Sequence, residues 1–345
     1  LISLLILVHE WGHFFSARVL GVKVEEFGFG FPPRLFSKMK NGVRYSFNLF
    51  PFGGFVKIFG EHGEGEAAPE SFAGRPLWHR FIILAAGVLM NLVLAWVLFS
   101  AASGIGVPQV VDGEGSAIPV SVLSVAHGSP AESSGIKFGD AILRISQGGN
   151  SLVVSSEEDV VSFIDAHKGE EVILSLRRGE EIKDISVLAR ENPPDGQGSV
   201  GISMGRLDVI SAPWYLAPVE GAKTLGRSIV LTIYGFWYLV AELVAGNTSI
   251  PVSGPVGIFV FANDIRPLGV SFFLHFMGIL SVNLAILNFL PIPALDGGRV
   301  FFLLIEKLRG RRISAESENI AHTIGFVVLI FLMVLVTYRD VTMFF

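Results

Sequence analysis

The chain alternates long unbroken apolar stretches with polar ones, and the length of each stretch limits what it can be. A bilayer crossing takes roughly 20 apolar residues. Four stretches approach or reach that length, residues 1–20, 81–103, 272–290 and 320–336. The first is short and starts abruptly without Met, so further residues are expected before Leu1. It is not expected to be a cleaved signal peptide, because it lacks a basic leader and carries His9, Glu10 and His13. Residues 44–58 alternate apolar and polar positions, then turn at Pro51 and Gly53-Gly54, a pattern that predicts a β-hairpin. Residues 61–69 are acidic and Gly-rich, and 104–116 form a linker.

The middle of the chain has a different texture. Strand-like runs at 120–125, 141–145, 172–177 and 182–188 alternate with helix-like stretches at 130–134 and 156–166. Acids such as Glu157, Glu158, Asp159, Glu170, Glu171, Glu180 and Glu181 gather here, as expected of a water-facing domain at 118–208. Residues 214–250 are harder to place. Their apolar part is flanked by Glu220, Lys223, Arg227 and Glu242, so they form either a further crossing or an amphipathic helix lying in the interface. Residues 253–257 read as a turn. The expected organisation is an N-terminal membrane part (1–104), the domain at 118–208, the interfacial region at 214–250 and a C-terminal membrane part (270–345). The fold class is a polytopic α-helical membrane protein of about four transmembrane helices with an inserted α+β domain.

Composition supports this. Of 345 residues, 51% are hydrophobic and 17% charged, with mean hydropathy +0.58, values that belong to an integral membrane protein. The net charge of -5 argues against a nucleic-acid partner. With no Cys there is no disulfide, no thiolate metal ligand and no thiol nucleophile, so any metal must be held by His and carboxylate. Lys and Arg crowd the segment between the first two spans (Arg18, Lys23, Arg34, Lys38, Lys40, Arg44, Lys57, Arg75, Arg80) and the one between the last two (Lys307, Arg309, Arg311, Arg312). Both loops are then cytoplasmic and the 118–208 domain extracytoplasmic. That topology closes only if 214–250 makes no net crossing, which favours the interfacial reading.

The chemistry lies in Val8-His9-Glu10-Trp11-Gly12-His13. On a helix, His9 and His13 share a face and can share a metal ion. Glu10 stands where it can take a proton from a water activated by such an ion. Ionisable groups inside an apolar span are costly and point to function. A hydrolytic zinc commonly has three protein ligands. Asp296 is the preferred third, at matching depth and beside Gly297-Gly298; His275, Glu306 and His322 are the alternatives. The Phe-rich 44–58 hairpin is expected to dip toward this site, since non-helical backbone at membrane depth needs protein or water against it. There Phe47, Asn48, Leu49, Gly53 and Gly54 would meet an extended peptide by strand addition. A small hairpin resting on the membrane face is the plainer alternative. Asn91, in the second span, serves as helix-packing glue or faces a polar site.

The run from Gly128 through Gly139-Asp140 to Leu143 resembles the bacterial PDZ signature, which implies either capture of an extracytoplasmic peptide in a groove or a steric cover. Together with the His9–His13 motif, Phe27-Gly28-Phe29-Gly30 and Asn288-Phe289-Leu290-Pro291-Ile292-Pro293-Ala294-Leu295-Asp296-Gly297, it resembles the site-2 protease family of intramembrane zinc metalloproteases, regulator-of-sigma-E type. One PDZ domain rather than two is similar to the single-PDZ branch. The resemblance implies one Zn2+ held by His9, His13 and Asp296, Glu10 as base, Asn288 on the substrate backbone and residues 44–58 as the membrane-reentrant β-loop. It implies cleavage of single-pass membrane proteins within the lipid bilayer of the bacterial inner membrane, with anti-sigma factors or remnant signal peptides as substrate classes. A membrane PDZ scaffold with a structural metal is the rival reading. A transporter is disfavoured, because no inverted repeat is visible.

Overall fold

The computed structural model describes residues 1–61, 68–110, 118–194, 196–246 and 254–344. Much of the acidic 61–69 stretch and of the 104–116 linker lies outside the described residues, as does Ser253 of the expected turn. In chain order the elements are α1 (Ile2–Val19), β1 (Val24–Lys40), β2 (Val43–Ile58), α2 (Leu77–Ile105), β3 (Val107–Val110), β4 (Val120–Val125), α3 (Pro130–Ser133), β5 (Ala141–Gln147), β6 (Asn150–Val153), α4 (Glu157–Ala166), β7 (Glu171–Arg178), β8 (Glu181–Leu188), β9 (Ile202–Ile210), α5 (Ala217–Val244), α6 (Pro255–Ile265), α7 (Val270–Phe289), α8 (Asp296–Arg309) and α9 (Ala315–Phe344). They divide into two compact units. One comprises Leu1–Ser100, Pro218–Gly257 and Phe276–Phe345, the other Ala101–Ala217 and Ile258–His275.

In the first unit the helices meet at small residues. A Cβ on Gly12 of α1 would overlap the Ala86 carbonyl of α2, one on Gly278 of α7 would overlap the Phe99 ring, and one on Gly221 of α5 would overlap Ser100. Close backbone approach and hydrogen bonds drive helix association where lipid offers no hydrophobic gain. Accordingly Ser281 donates to the Asn91 carbonyl at 2.8 Å and Trp96 Nε1 donates to the Pro218 carbonyl at 2.9 Å. Phe14, Ala17, Val24, Ile58, Ile83, Leu84 and Leu303 form an apolar core linking α1, the two strands, α2 and α8.

β1 and β2 are long and bent, and they pair more than once. Residues 36–40 and 43–47 form an antiparallel hairpin across Asn41-Gly42, whose φ values of 51° and 77° suit a two-residue hairpin turn. Phe27 to Phe29 then lie between two segments of β2, facing Tyr45 to Phe47 in ascending register and Val56 to Gly54 in descending register. The hairpin expected within 44–58 is therefore not formed, because its two arms flank β1 instead of each other. The Phe-Gly-Phe-Gly alternation explains this. Gly28 leaves one face bare and the Phe55 ring lies across it, where any Cβ would collide.

Among the described residues, four helices are long and apolar enough to cross a membrane: Leu77–Ile105, Ala217–Val244, Val270–Phe289 and Glu316–Thr342. The count matches the expectation, but the members differ. The 18-residue α1 is not among them and the 28-residue α5 is. Residues 255–257, expected in a turn, instead open α6. Proline is well placed in a first helical turn, and the Asp340 carboxylate accepts the Gly254 and Gly257 amides at 3.1 and 2.7 Å.

The second unit carries a sheet of order β3-β9-β4-β5-β7-β8, with β6 on β5. Val122, Ile142, Ile145, Val160, Leu174, Leu176 and Val187 fill its core. Ser129 caps α3 and a Ser156/Asp159 capping box starts α4. Asp140, fully buried, holds Arg178 through bonds of 2.6 and 2.7 Å.

Candidate metal centre

α1 turns His9, Gly12 and His13 toward α2, and all three are buried. The Nε2 atoms of His9 and His13 are 3.1 Å apart, and Asp296 Oδ2 lies 2.9 Å from the first and 3.2 Å from the second. Among the described residues this is the cluster of His, Cys, Asp or Glu able to hold a metal ion. Asp296 Oδ2 is buried and directed at the two histidine nitrogens. Three converging atoms, two imidazole nitrogens and one carboxylate oxygen, match a three-ligand zinc site with a position left open. The donor set therefore fits zinc.

Asp296 reaches the site because it opens α8 after a tight loop. A Cβ on Gly297 would overlap the Phe289 and Leu290 carbonyls, and one on Gly298 would overlap that of Ile292. Ala294 is held at φ 81°, unusual for a residue with a side chain, and its amide donates to His322 Nδ1 at 2.8 Å. His322 thus braces the loop, which no sequence pattern announced. Glu306 pairs with Arg80 at 2.5 Å and with Arg312 at 3.6 Å, while His275 belongs to the second unit.

Glu10 Oε2 accepts the Val56 amide at 3.0 Å. Glu10, His13 and Asp296 share a cavity of about 580 Å³ with Phe55, Val56, Arg299 and His322. An ion pair between Arg299 and Glu61 ties α8 to the chain just beyond β2. The side chain of Glu10 comes within 3.9 Å of a Cβ built on Gly54, and Ile6 borders Gly53, so the glycine pair lets the strand approach α1. Phe47 is elsewhere, with Phe29 and Phe36 stacked on it at 5.2 and 5.1 Å. Asn48 is buried and donates to the Gly30 carbonyl at 3.0 Å, whereas Leu49 is exposed. Asn288 Nδ2 lies 3.4 Å from His9 Nε2.

Comparison with known proteins agrees with this chemistry. Residues 1–332 match the model of Peptidase family M50. A relative from Clostridium acetobutylicum, provisionally named a zinc metalloprotease, is 35% identical over 98% of this chain and 94% of its own length. A similarly named protein of Clostridium perfringens is 35% identical over 98% and 96%. The zinc metalloprotease RasP of Oceanobacillus iheyensis is 28% identical over 98% and 96%. Among solved structures, the PDZ domain of an SdrC-like protein from Listeria monocytogenes aligns with 27% of this chain and 90% of its own at 24% identity, with a TM-score of 0.22. A donor set suited to zinc and a family match over nearly the whole sequence lead to one conclusion: the chain is a zinc metalloprotease belonging to Peptidase family M50, the site-2 proteases.

Proposed function

We propose that this protease cuts single-pass membrane proteins within their membrane segment, with zinc held by His9, His13 and Asp296 and Glu10 as the base. One observation carries the reading. Glu10, beside the three converging ligand atoms, accepts an amide from Val56 on a face of β2 that β1 does not occupy.

Bound zinc would supply Lewis acidity toward a peptide carbonyl and bring the pKa of water near neutrality. Glu10 takes the proton of the attacking water and delivers it to the leaving amide nitrogen. The peptide C–N bond breaks as the water oxygen joins the carbonyl carbon. The substrate must be extended, because helical amides are already bonded within the helix. Unsatisfied backbone groups cost several kcal/mol each in lipid. The edge of 54–58 that does not pair with β1, where Glu10 holds the Val56 amide, replaces those bonds by strand addition. Asn288, whose Nδ2 lies 3.4 Å from His9 Nε2, steadies the substrate backbone beside the ligand atoms. Phe47, Asn48 and Leu49 shape the sheet that carries this edge. In this reading β1 and β2 form the membrane-reentrant element, and α5 lies in the interface of the bacterial cell membrane. The 118–208 domain is a PDZ gate on the extracytoplasmic side. Anti-sigma factors and remnant signal peptides are the substrate classes proposed.

The test is Glu10→Gln in the full chain. Cleavage of a model single-pass substrate should vanish while one zinc per chain remains. Retained cleavage would remove Glu10 from the mechanism. A fourth protein ligand closing the site would favour a scaffold with a structural metal.

A further inference from the structure

The two proposed histidine ligands are supported from behind by one stripe of α2, residues Ile83, Gly87 and Asn91. These are spaced by four and so share a helix face. His13 Nδ1 lies 2.8 Å from the Ile83 carbonyl, which obliges that nitrogen to carry the proton and leaves Nε2 with its lone pair. A Cβ on Gly87 would overlap His13 Nε2 and crowd His9 Cε1, so this position clears space for both rings. His9 Nδ1 meets the Asn91 side chain, with the amide nitrogen at 3.3 Å, while Asn91 Oδ1 is buried without a partner. Asn91 is itself wholly buried.

We infer that Asn91 is a positioning residue for zinc, its amide oxygen accepting the His9 Nδ1 proton and fixing the tautomer that presents Nε2 to the metal. Asn91 Nδ2 is placed 3.3 Å from His9 Nδ1, and Oδ1 is left without a partner. A His9 that gives its Nε2 lone pair to a metal would carry its single imidazole proton on Nδ1, where an acceptor must face it. The two ends of a carboxamide have the same shape, so turning the side chain through half a turn supplies the oxygen. An Asn can supply that acceptor, which neither an apolar residue nor a pure donor can do. His13 needs no such device because its support is a backbone carbonyl.

The inference rests on His9 being a ligand, and the experiment separates the two. Zinc affinity is measured on the full chain in detergent by competition with a chromogenic chelator, beside the melting temperature of the zinc-free protein. Asn91→Leu keeps the size and removes both hydrogen-bonding ends; it should weaken zinc binding by about 10- to 100-fold. Asn91→Asp offers only acceptors and should stay within about threefold of the parent chain. If Asn91 served only to pack α2, Leu would bind zinc as the parent does and the buried Asp would be the worse variant. That order overturns the inference. Should Asn91→Leu fail to fold, Asn91→Asp decides alone, because a loss of zinc in that variant at an unchanged melting temperature is equally fatal. Zinc affinity that depends on His9 but not on Asn91 overturns this inference only. Affinity unmoved by His9→Ala overturns the ligand reading and the inference together.

Discussion

The two units use buried polar groups in opposite ways. In the second, Asp140 and Arg178 neutralise each other, Ser156 and Asp159 cap a helix, and Arg206 bonds to the Ile118 and Ser155 carbonyls. These contacts close turns and ends, and none leaves an atom converging on open space. In the first, His9, His13 and Asp296 bring three potential ligand atoms within about 3 Å of one another beside a cavity. Buried polar atoms are normally satisfied. A cluster whose ligand atoms converge on one point has the form of a binding site, whereas one whose charges and donors are matched is structure. The first unit should lose chemistry on small changes that spare its fold, and the second should lose stability without touching the metal.

The largest expected effect is at Gly87. Gly87→Val places a side chain where His13 and His9 stand. Zinc affinity should fall by about 100-fold or more, with cleavage falling to background. Metal analysis of the purified chain checks this, and near-normal zinc in that variant would erase the contrast between the units. Asp140→Ala comes next. It strands a largely buried guanidinium and should cost the second unit about 3–5 kcal/mol, read as a lower denaturation midpoint with zinc content unchanged.

His322→Ala should be milder. It removes the acceptor for the strained Ala294 amide, a loss of about 1–3 kcal/mol. The reading is a lower kcat at equal zinc content, since Asp296 sits two residues on. Ser156→Ala removes one cap and should cost about 1 kcal/mol, visible only in the melting of the second unit. The same cap sharpens the comparison with pH. The Ser155 and Ser156 amides hold the Asp159 carboxyl below its ordinary range. Its contribution is present above its unfolded pKa of about 3.9 and is lost as pH falls through the depressed folded value. Asp159→Asn should flatten that acid limb.

What the sequence disclosed follows the same division. His9, Glu10 and His13 stood out because charge in an apolar run is expensive, and Asp296 because two glycines follow it at the right depth. Asn91 was visible as an oddity in an apolar helix, but its role and that of Gly87 depend on which helix packs opposite, and local patterns do not carry that. The 44–58 segment misled because alternation pairs a strand with its nearest neighbour, whereas here both arms found β1. His322 and Asp340 were unreadable for a simpler reason. Each acts on backbone amides far away in sequence, of Ala294 and of Gly254 and Gly257. The strands β4, β5, β7 and β8 were legible from alternation, while β6 and β9 were not foreseen.

The order in which these parts leave the ribosome has its own consequence. The two histidines lie at positions 9 and 13, and the carboxylate that meets them is at 296 of 345. On the reading proposed here, a nascent chain carries an incomplete catalytic centre over the 283 residues that separate His13 from Asp296 (296 minus 13). It gains the ability to cut its neighbours only after the loop braced by His322 has been made. A protease that works among membrane proteins thereby lacks its third metal ligand until residue 296 has been made.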